Sequence, residues 1–313
     1  MAVTEAATTG RRDMLARSSL RRRIEDNPFT WLLPVAILLG VFYLYPIIDV
    51  VRLAFTNASL RGGEEHYTTA SFVALIANSL LPEILWTTFV FTAGSVIGQQ
   101  IFGLGIAVLV MRGERRKLYG MTALRTLVLV AWVIPGIANG LIWQMLFSEA
   151  PFGAINSVLR LAHFQPVAWL SDPGMAMVSA IVSNVWRGTA FSMIVFYAAL
   201  KSIDGTLYEA ASVDGANGFQ KFIFITLPQM RSAILVNSIL ITIATLNTFD
   251  AIISLTGGGP GRATEVLSLY TFNTVFRNLD LAGGSVLSVL MLVISLVLAI
   301  GYASFLPRRE PSE

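Results

Sequence analysis

The sequence predicts an all-α polytopic membrane protein with six transmembrane helices, and three observations carry that reading. Of the 313 residues, 55% are apolar and 13% charged, whereas an ordinary soluble domain carries about 25% charge. The apolar residues fall into six blocks, each long enough to cross a bilayer, which takes roughly 20 residues of helix. The basic residues alternate along the chain. Sixteen Lys and Arg lie before the first block, in the second and fourth connections and after the last block, whereas four lie in the intervening connections and one, Arg52, at the far end of the first block. This positive-inside pattern places both termini, and the segment between the fourth and fifth helices, in the cytoplasm.

The blocks run over 31–55, 84–111, 126–147, 175–200, 233–256 and 283–306. Inside lipid no water can satisfy the backbone, so each is expected to be helical. None alternates as a barrel strand would. The third contains Pro135-Gly136, expected as an interruption that a packed span tolerates. Residues 1–27 form a basic tail with Arg11, Arg12, Arg17 and Arg21 to Arg23. No cleavage-site pattern follows it, so the first helix is expected to remain as an anchor. The transmembrane domain is expected over 28–306, and a short tail with Arg308 and Arg309 over 307–313.

The connections 56–83 and 148–174 are expected outside, the second with a short helix around 152–163 and breaks at Pro166 and Asp172-Pro173. Gly94 and Gly98, and Gly136 and Gly140, have the GxxxG spacing that lets membrane helices approach closely. A pI near 9.3 is explained by the topological bias and does not call for a nucleic-acid partner. Cysteine is absent, which excludes disulfides and thiolate metal sites. His66 and His163 stand alone in loops, as solvated surface residues do.

The cytoplasmic segment 201–232 is patterned enough to fold. Residues 209–228 read as a short helix, a turn at Asp214-Gly215 and Asn217-Gly218, and a second short helix stopped by Pro228. Phe219, Phe222, Ile223 and Ile225 would form an apolar face at helical spacing. In this stretch Glu209, Ala210, Ala211, Gly215, Ile225, Leu227 and Pro228 match, with both gaps, the E-A-A…G…I-x-L-P pattern of bacterial ABC importer permeases. The chain therefore resembles that family. The resemblance implies a coupling helix that docks into a cleft of a separate ATP-binding subunit. Glu209 would offer charge to a basic partner, Ala210 and Ala211 close approach, and Asp214 and Gly215 the bend. The chain has no G-x-x-x-x-G-K-[ST], so the resemblance implies a transport subunit that is not itself an enzyme. It would bind no cofactor, with ATP and Mg consumed by two partner subunits.

A second stretch, Asn247 to Pro260 followed by Thr264-Glu265 and Leu269-Tyr270, resembles the F-D…L-T-G-G-G-P…T-E…L-Y segment of carbohydrate importer permeases. The likeness is to the first of the two dissimilar subunits in the maltose, glycerol-phosphate and trehalose group. It implies a heterodimer with a second permease, an external sugar-binding protein, a bacterial inner-membrane location and a carbohydrate substrate, with a disaccharide such as trehalose as the specific expectation. The glycine run is not a phosphate loop, because no Lys-Ser/Thr follows it and no strand precedes it. The chain departs from the best-known maltose permease in lacking extra spans and a large external domain. It also has Arg231-Ser232 after Gln229-Met230, where many relatives have Pro.

Polar groups inside a bilayer are costly and usually face a partner or a water-filled path. Asn184 and Arg187 share a face of the fourth span; Asn247, Asp250 and Ser254 are expected to share a face of the fifth; Gln99, Gln100, Asn139 and Gln144 add amides. The candidate substrate path is Gln100, Asn139, Trp143, Asn184, Arg187, Asn247, Phe249 and Asp250, with Trp143, Trp186 and Phe249 as faces for sugar rings. A structural Arg187–Asp250 ion pair is the alternative for those two residues, and helix-to-helix bonding the alternative for Asn139 and Gln144. A self-sufficient secondary transporter would show broken helices in matched halves, and an intramembrane enzyme clustered acids or metal ligands; neither pattern is evident.

Overall fold

The computed structural model describes residues 28–305, so the basic tail and Arg308 and Arg309 lie outside the described residues. Helices dominate the described residues, and the β pairing there is one isolated antiparallel bridge, Thr56 to Tyr67.

The N-terminal unit is a single apolar helix in three parts. α1 (Pro28–Leu39) passes through a π-turn at Gly40–Leu44 into α2 (Tyr45–Ala54). Pro46 follows that turn. A proline lacks the N–H for an i→i−4 bond and its ring collides with the carbonyl four residues back. Widening the turn, with the Tyr45 N–H bonded to the Gly40 carbonyl, lets the helix continue past it.

The second unit begins with the short α3 (Ala70–Ile76) and the 35-residue α4 (Leu81–Arg115). Next come α5 (Met121–Val133), α6 (Gly136–Leu146), α7 (Ala154–Leu161) and the long α8 (Pro173–Lys201). α9 (Gly205–Val213) and α10 (Gly218–Lys221) follow; a π-turn at Phe222–Thr226 then leads into α11 (Leu227–Gln229) and α12 (Arg231–Leu246). The unit closes with α13 (Asp250–Leu255), α14 (Leu267–Phe272), a π-turn at Asn273–Arg277 and α15 (Leu281–Ser304). Four helices are long and apolar enough to cross a membrane: Trp31–Ala54, Leu81–Arg115, Pro173–Lys201 and Leu281–Ser304. Two bent pairs, α5 with α6 and Gly218–Gln229 with α12, raise the number to six if each is one span.

Two of the expected spans are not continuous. α5 and α6 meet at 104°, because the residue before a proline is pushed out of the α region: Ile134 is extended at φ −65°, ψ 126°, and Pro135 then leads α6. The fifth block breaks at 247–249. There Asn247 Nδ2 donates to the Ile243 carbonyl (2.8 Å) and Thr248 Oγ1 to the Ala244 carbonyl (3.0 Å). Such side-chain bonds compete with helix continuation. Asn247 therefore closes α12 while Asp250 and Ser254 belong to α13, and the three do not share one helical face. Broken helices are thus a feature of this fold: the interruption at Pro135-Gly136 was expected, though not its sharpness, whereas the break in the fifth block was not.

The long parallel pair α4 and α8 forms the axis of the unit. A Cβ on Gly94 would stand 2.8 Å from Ile181, one on Gly98 2.5 Å from Val185, and one on Gly103 2.4 Å from Ser192. Small residues are therefore required along this seam, as expected where van der Waals packing rather than water expulsion joins membrane helices. The Gly136 and Gly140 spacing does the same for α6 against Asp250, Ala251 and Ser254 of α13. Buried Ala107, Val110, Met111, Met193, Phe196, Leu200 and Met230 form one apolar cluster near the α9 end, and Phe91, Phe147, Ala180, Ile252, Leu255, Val266 and Leu269 another toward the opposite end.

Candidate functional site

The segment after α8 is a folded hook. Asp204 caps α9 by accepting from the Thr206 N–H (2.9 Å). At the other end Gly215, at φ +78°, makes a left-handed turn that an L side chain would strain. Its N–H bonds the Ser212 carbonyl (3.2 Å) and the Ala216 N–H reaches back to the Ala211 carbonyl (2.9 Å), the Schellman closure of a helix C-terminus. The spacing of the E-A-A…G pattern is thereby explained: Ala211 supplies the accepting carbonyl and Gly215 the left-handed residue. α10 opens with a capping box. Asn217 Oδ1 accepts from the Gln220 N–H (2.9 Å) and the Gln220 side chain accepts from the Asn217 N–H (2.8 Å).

The hook is held to its base by the Tyr208 hydroxyl against Thr226 Oγ1 (3.0 Å) and by Lys221 Nζ donating to Ser212 Oγ (2.6 Å). Glu209 and Ala210 are exposed and Ala211 is half-buried, while Val213 and Phe219 are 89% and 73% exposed. Phe219 therefore departs from the expected inner face, which Phe222, Ile223 and Ile225 supply as half-buried residues. Pro228 does not stop the helix. The π-turn, closed by the Leu227 N–H to the Phe222 carbonyl, carries the chain past it, and the 65° bend comes at Met230, between Gln229 and Arg231. Ile225 is half-buried in that π-turn, and Leu227 and Pro228 open the turn after it.

At the hook's base Glu114 gathers three helices. Tyr197 donates its hydroxyl hydrogen to Glu114 Oε2 (2.5 Å), and Arg125 and Lys201 stand 3.7 and 3.5 Å from the carboxylate. Nothing in the sequence motifs pointed to this cluster; its members lie as much as 87 positions apart (201 less 114).

A second region is a polar cleft of about 610 Å³ between α4, α5, α8, α12 and the 247–250 break. Among its walls are Gln99, Asn184, Arg187, Asn247, Phe249 and Asp250. The break at 247–249 turns Asn247, Phe249 and Asp250 to one cavity even though they belong to no single helix. Asn184 Nδ2 lies 3.5 Å from Thr245 Oγ1. Arg187 Nε is buried without a hydrogen-bond partner. Among the described residues, the ion pairs do not include one between Arg187 and Asp250, so the structural-pair alternative is not what this conformation contains.

Three candidate path residues fall elsewhere. Gln100 is consumed between helices: its amide donates to the Ile234 carbonyl (3.2 Å) and to Ser238, and accepts from Asn237 (3.1 Å). Adjacent helical residues point about 100° apart, so the cleft receives Gln99 instead, for which Gly188 leaves the room. Asn139 is fully buried and donates to Ser183 Oγ (2.8 Å). Trp143 lines a different, apolar groove of about 630 Å³ with Trp186, and the two rings meet edge to face at 5.9 Å.

The T-G-G-G-P turn is also closed on itself. Gly257 and Gly258 have φ of +65° and +93°, Thr264 Oγ1 bonds Thr256 Oγ1 (2.7 Å) and the Gly259 carbonyl (2.9 Å), and Glu265 accepts from Asn273 Nδ2 (2.7 Å). This accounts for Thr264-Glu265 accompanying the glycines as one structural unit.

A bundle of long and broken apolar helices, with a folded hook at one end and a polar cleft inside, defines a membrane permease subunit. The chain belongs to the family of binding-protein-dependent transport system inner membrane components, whose model matches residues 99–311. It is 32% identical over 281 residues to the sulfoquinovosyl glycerol transport system permease protein SmoG of Agrobacterium fabrum, covering 89% of this chain and 90% of that one. It is 34% identical over 289 residues to the trehalose/maltose transport system permease protein MalF of Thermococcus litoralis, covering 91% and 95%. Its fold matches a chain in the crystal structure of a bacterial alginate ABC transporter in complex with an alginate pentasaccharide-bound periplasmic protein. That match has TM-score 0.73 and 24% identity, over 88% of this chain and 91% of that one. The chain is thus a multi-pass inner-membrane ABC importer permease, a transport subunit.

Proposed function

We propose that this chain is half of the translocation path of a carbohydrate importer and takes its driving force from separate ATP-binding subunits through α9. The supporting observation is the construction of the hook. Two caps, a Schellman turn and two side-chain braces make it stiff, while Glu209 and Ala210 face outward. A stiff peg can move helices when its partner changes shape, whereas a floppy linker would absorb the displacement. A partner that contacts the hook differently in its open and closed states shifts the permease between conformations. In this reading α9 and both termini are cytoplasmic, a second permease completes the path, and an external binding protein delivers substrate.

The cleft supports a hydroxyl-rich ligand. Amides of Gln99, Asn184 and Asn247 and the charges of Arg187 and Asp250 converge there, with the Phe249 ring beside them. The sugar-named relatives agree with that chemistry, and a disaccharide, with trehalose as the specific candidate, is the proposed substrate. The test is the assembled complex in liposomes. Glu209→Lys should abolish substrate-stimulated ATP hydrolysis while the subunits still co-purify, and unchanged stimulation would overturn the coupling role. Uptake measured across trehalose, maltose and an acidic oligosaccharide decides the sugar.

A further inference from the structure

We propose that the cleft between the end of α4 and the hook is a binding site for the phosphate headgroup of an anionic phospholipid. The cleft holds about 660 Å³. Its rim carries Arg112, Arg115, Arg116 and Lys221, against one carboxylate, Glu209, so the rim sums to +3 (four cations less one anion). Its floor is apolar, with Val108, Met111, Leu200 and Phe222.

The arginines are not spoken for by the protein. Among the described residues the ion pairs include none to Arg112, Arg115 or Arg116. The one acid nearby on α4, Glu114, is taken by Tyr197, Arg125 and Lys201. Arg115 stacks over the Tyr208 ring at 5.3 Å, which leaves its guanidinium edge donors open. Lys221 is anchored through Ser212 Oγ, so the hook contributes a cation to a cluster that α4 begins. Topological bias requires only that basic residues lie near the ends of the spans. It does not require arginines from one helix and a lysine from another to converge on a cavity with an apolar floor.

That combination is the complement of a lipid. Guanidinium groups pair with phosphate oxygens in bidentate fashion, the floor takes the first methylenes, and the site sits where the apolar run of α4 ends. Basic pockets between helices on the cytoplasmic side bind phospholipid headgroups in this way. A lipid held there would bridge α4 to the hook, and anionic lipid would tune how firmly the hook is seated.

The experiment uses the full chain, purified in neutral detergent and titrated with phosphatidylglycerol, phosphatidylcholine or inorganic phosphate, with bound lipid read by native mass spectrometry. Phosphatidylglycerol is expected to bind in preference to phosphatidylcholine. Each removed arginine should weaken it by about fivefold, so Arg112→Gln with Arg116→Gln should cost about 25-fold. Arg112→Lys with Arg116→Lys should recover only the part of the loss that charge accounts for, since an ammonium lacks the bidentate fork, and Arg61→Gln, outside the cleft, should leave binding intact. Equal binding of both lipids, or an undiminished preference in the double glutamine variant, overturns the site. Equal competition by inorganic phosphate assigns a free-anion site and overturns the lipid. A monodisperse elution profile and an unchanged helical spectrum show that the variant is folded. The measurement needs neither transport nor ATP hydrolysis, so its outcome is independent of the coupling role.

Discussion

Gly215 shows how a motif residue follows from one backbone angle. Its φ is +78° and a Cβ added there would meet nothing within 4 Å, so the cost of substitution is conformational rather than steric. A β-branched residue at such an angle costs about 1–2 kcal/mol, so Gly215→Val should loosen the α9 terminus. The checking measurement is faster hydrogen exchange at the Ala216 amide; unaltered exchange would contradict the Schellman assignment. Glu149 makes a second single-residue case, reaching from the loop before α7 to the loop before α8. It accepts from Ser171 Oγ (2.8 Å) and from the Leu170 and Ser171 N–H groups (3.1 and 2.9 Å). The Ser171 hydroxyl bond, followed by the Leu170 amide, holds its carboxyl below the ordinary value of 4.5 despite opposing burial. A depressed folded-state value stabilises the loop above the ordinary value, and that contribution is lost as pH falls through the folded one. Amide protection at Leu170 and Ser171 should therefore persist at neutral pH and fall away below pH 4.5, and Glu149→Gln should remove the pH dependence.

At the scale of elements, glycine placement decides which helices can touch. Gly103 has no room for a methyl group, since its Cβ would lie 2.4 Å from that of Ser192, whereas Gly105 has open space. Gly103→Val should therefore prevent α4 from seating on α8, with loss of folded protein from the membrane fraction, while Gly105→Ala is tolerated. Overpacking of this kind costs about 1–3 kcal/mol or more; equal yields for the two variants would refute the seam. The two GxxxG spacings were visible in the sequence, but the partners they serve were not. Pro135 was equally visible. Its consequence, a 104° turn rather than a tolerated kink, depends on the Ile134 backbone having left the helix, and on α13 being present to pack against α6.

For the molecule as a whole, the proposed orientation is directly testable because the chain contains no cysteine. Single cysteines at Val213 and Tyr67, which are 89% and 74% exposed, should react with an impermeant maleimide from opposite sides of a sealed vesicle, Val213→Cys from the side of the ATP-binding subunits. Labelling of both from one side would sink the topology on which the coupling role rests. The polar cleft was partly legible. Asn184, Arg187, Asn247, Phe249 and Asp250 do line it, while Gln100, Asn139 and Trp143 do not. Polarity in an apolar run marks a residue that needs a partner, yet it does not say whether the partner is a ligand or a neighbouring helix. Gln100 and Asn139 found helices.

What the sequence determined by itself was local and periodic: apolar blocks too long for anything but membrane helices, a hook whose glycine, caps and alanines stand at fixed offsets, and a basic bias between its two sides. These are legible because each depends on neighbours within a turn or two of helix. The tertiary structure alone decided where the spans break, that Gln99 rather than Gln100 faces the cleft, that Arg187 keeps a buried unpaired nitrogen, and that Glu114, Arg125, Tyr197 and Lys201 meet. Those outcomes depend on helix rotation and on contacts across scores of residues, and no local pattern encodes which face of one helix will be opposed by which face of another.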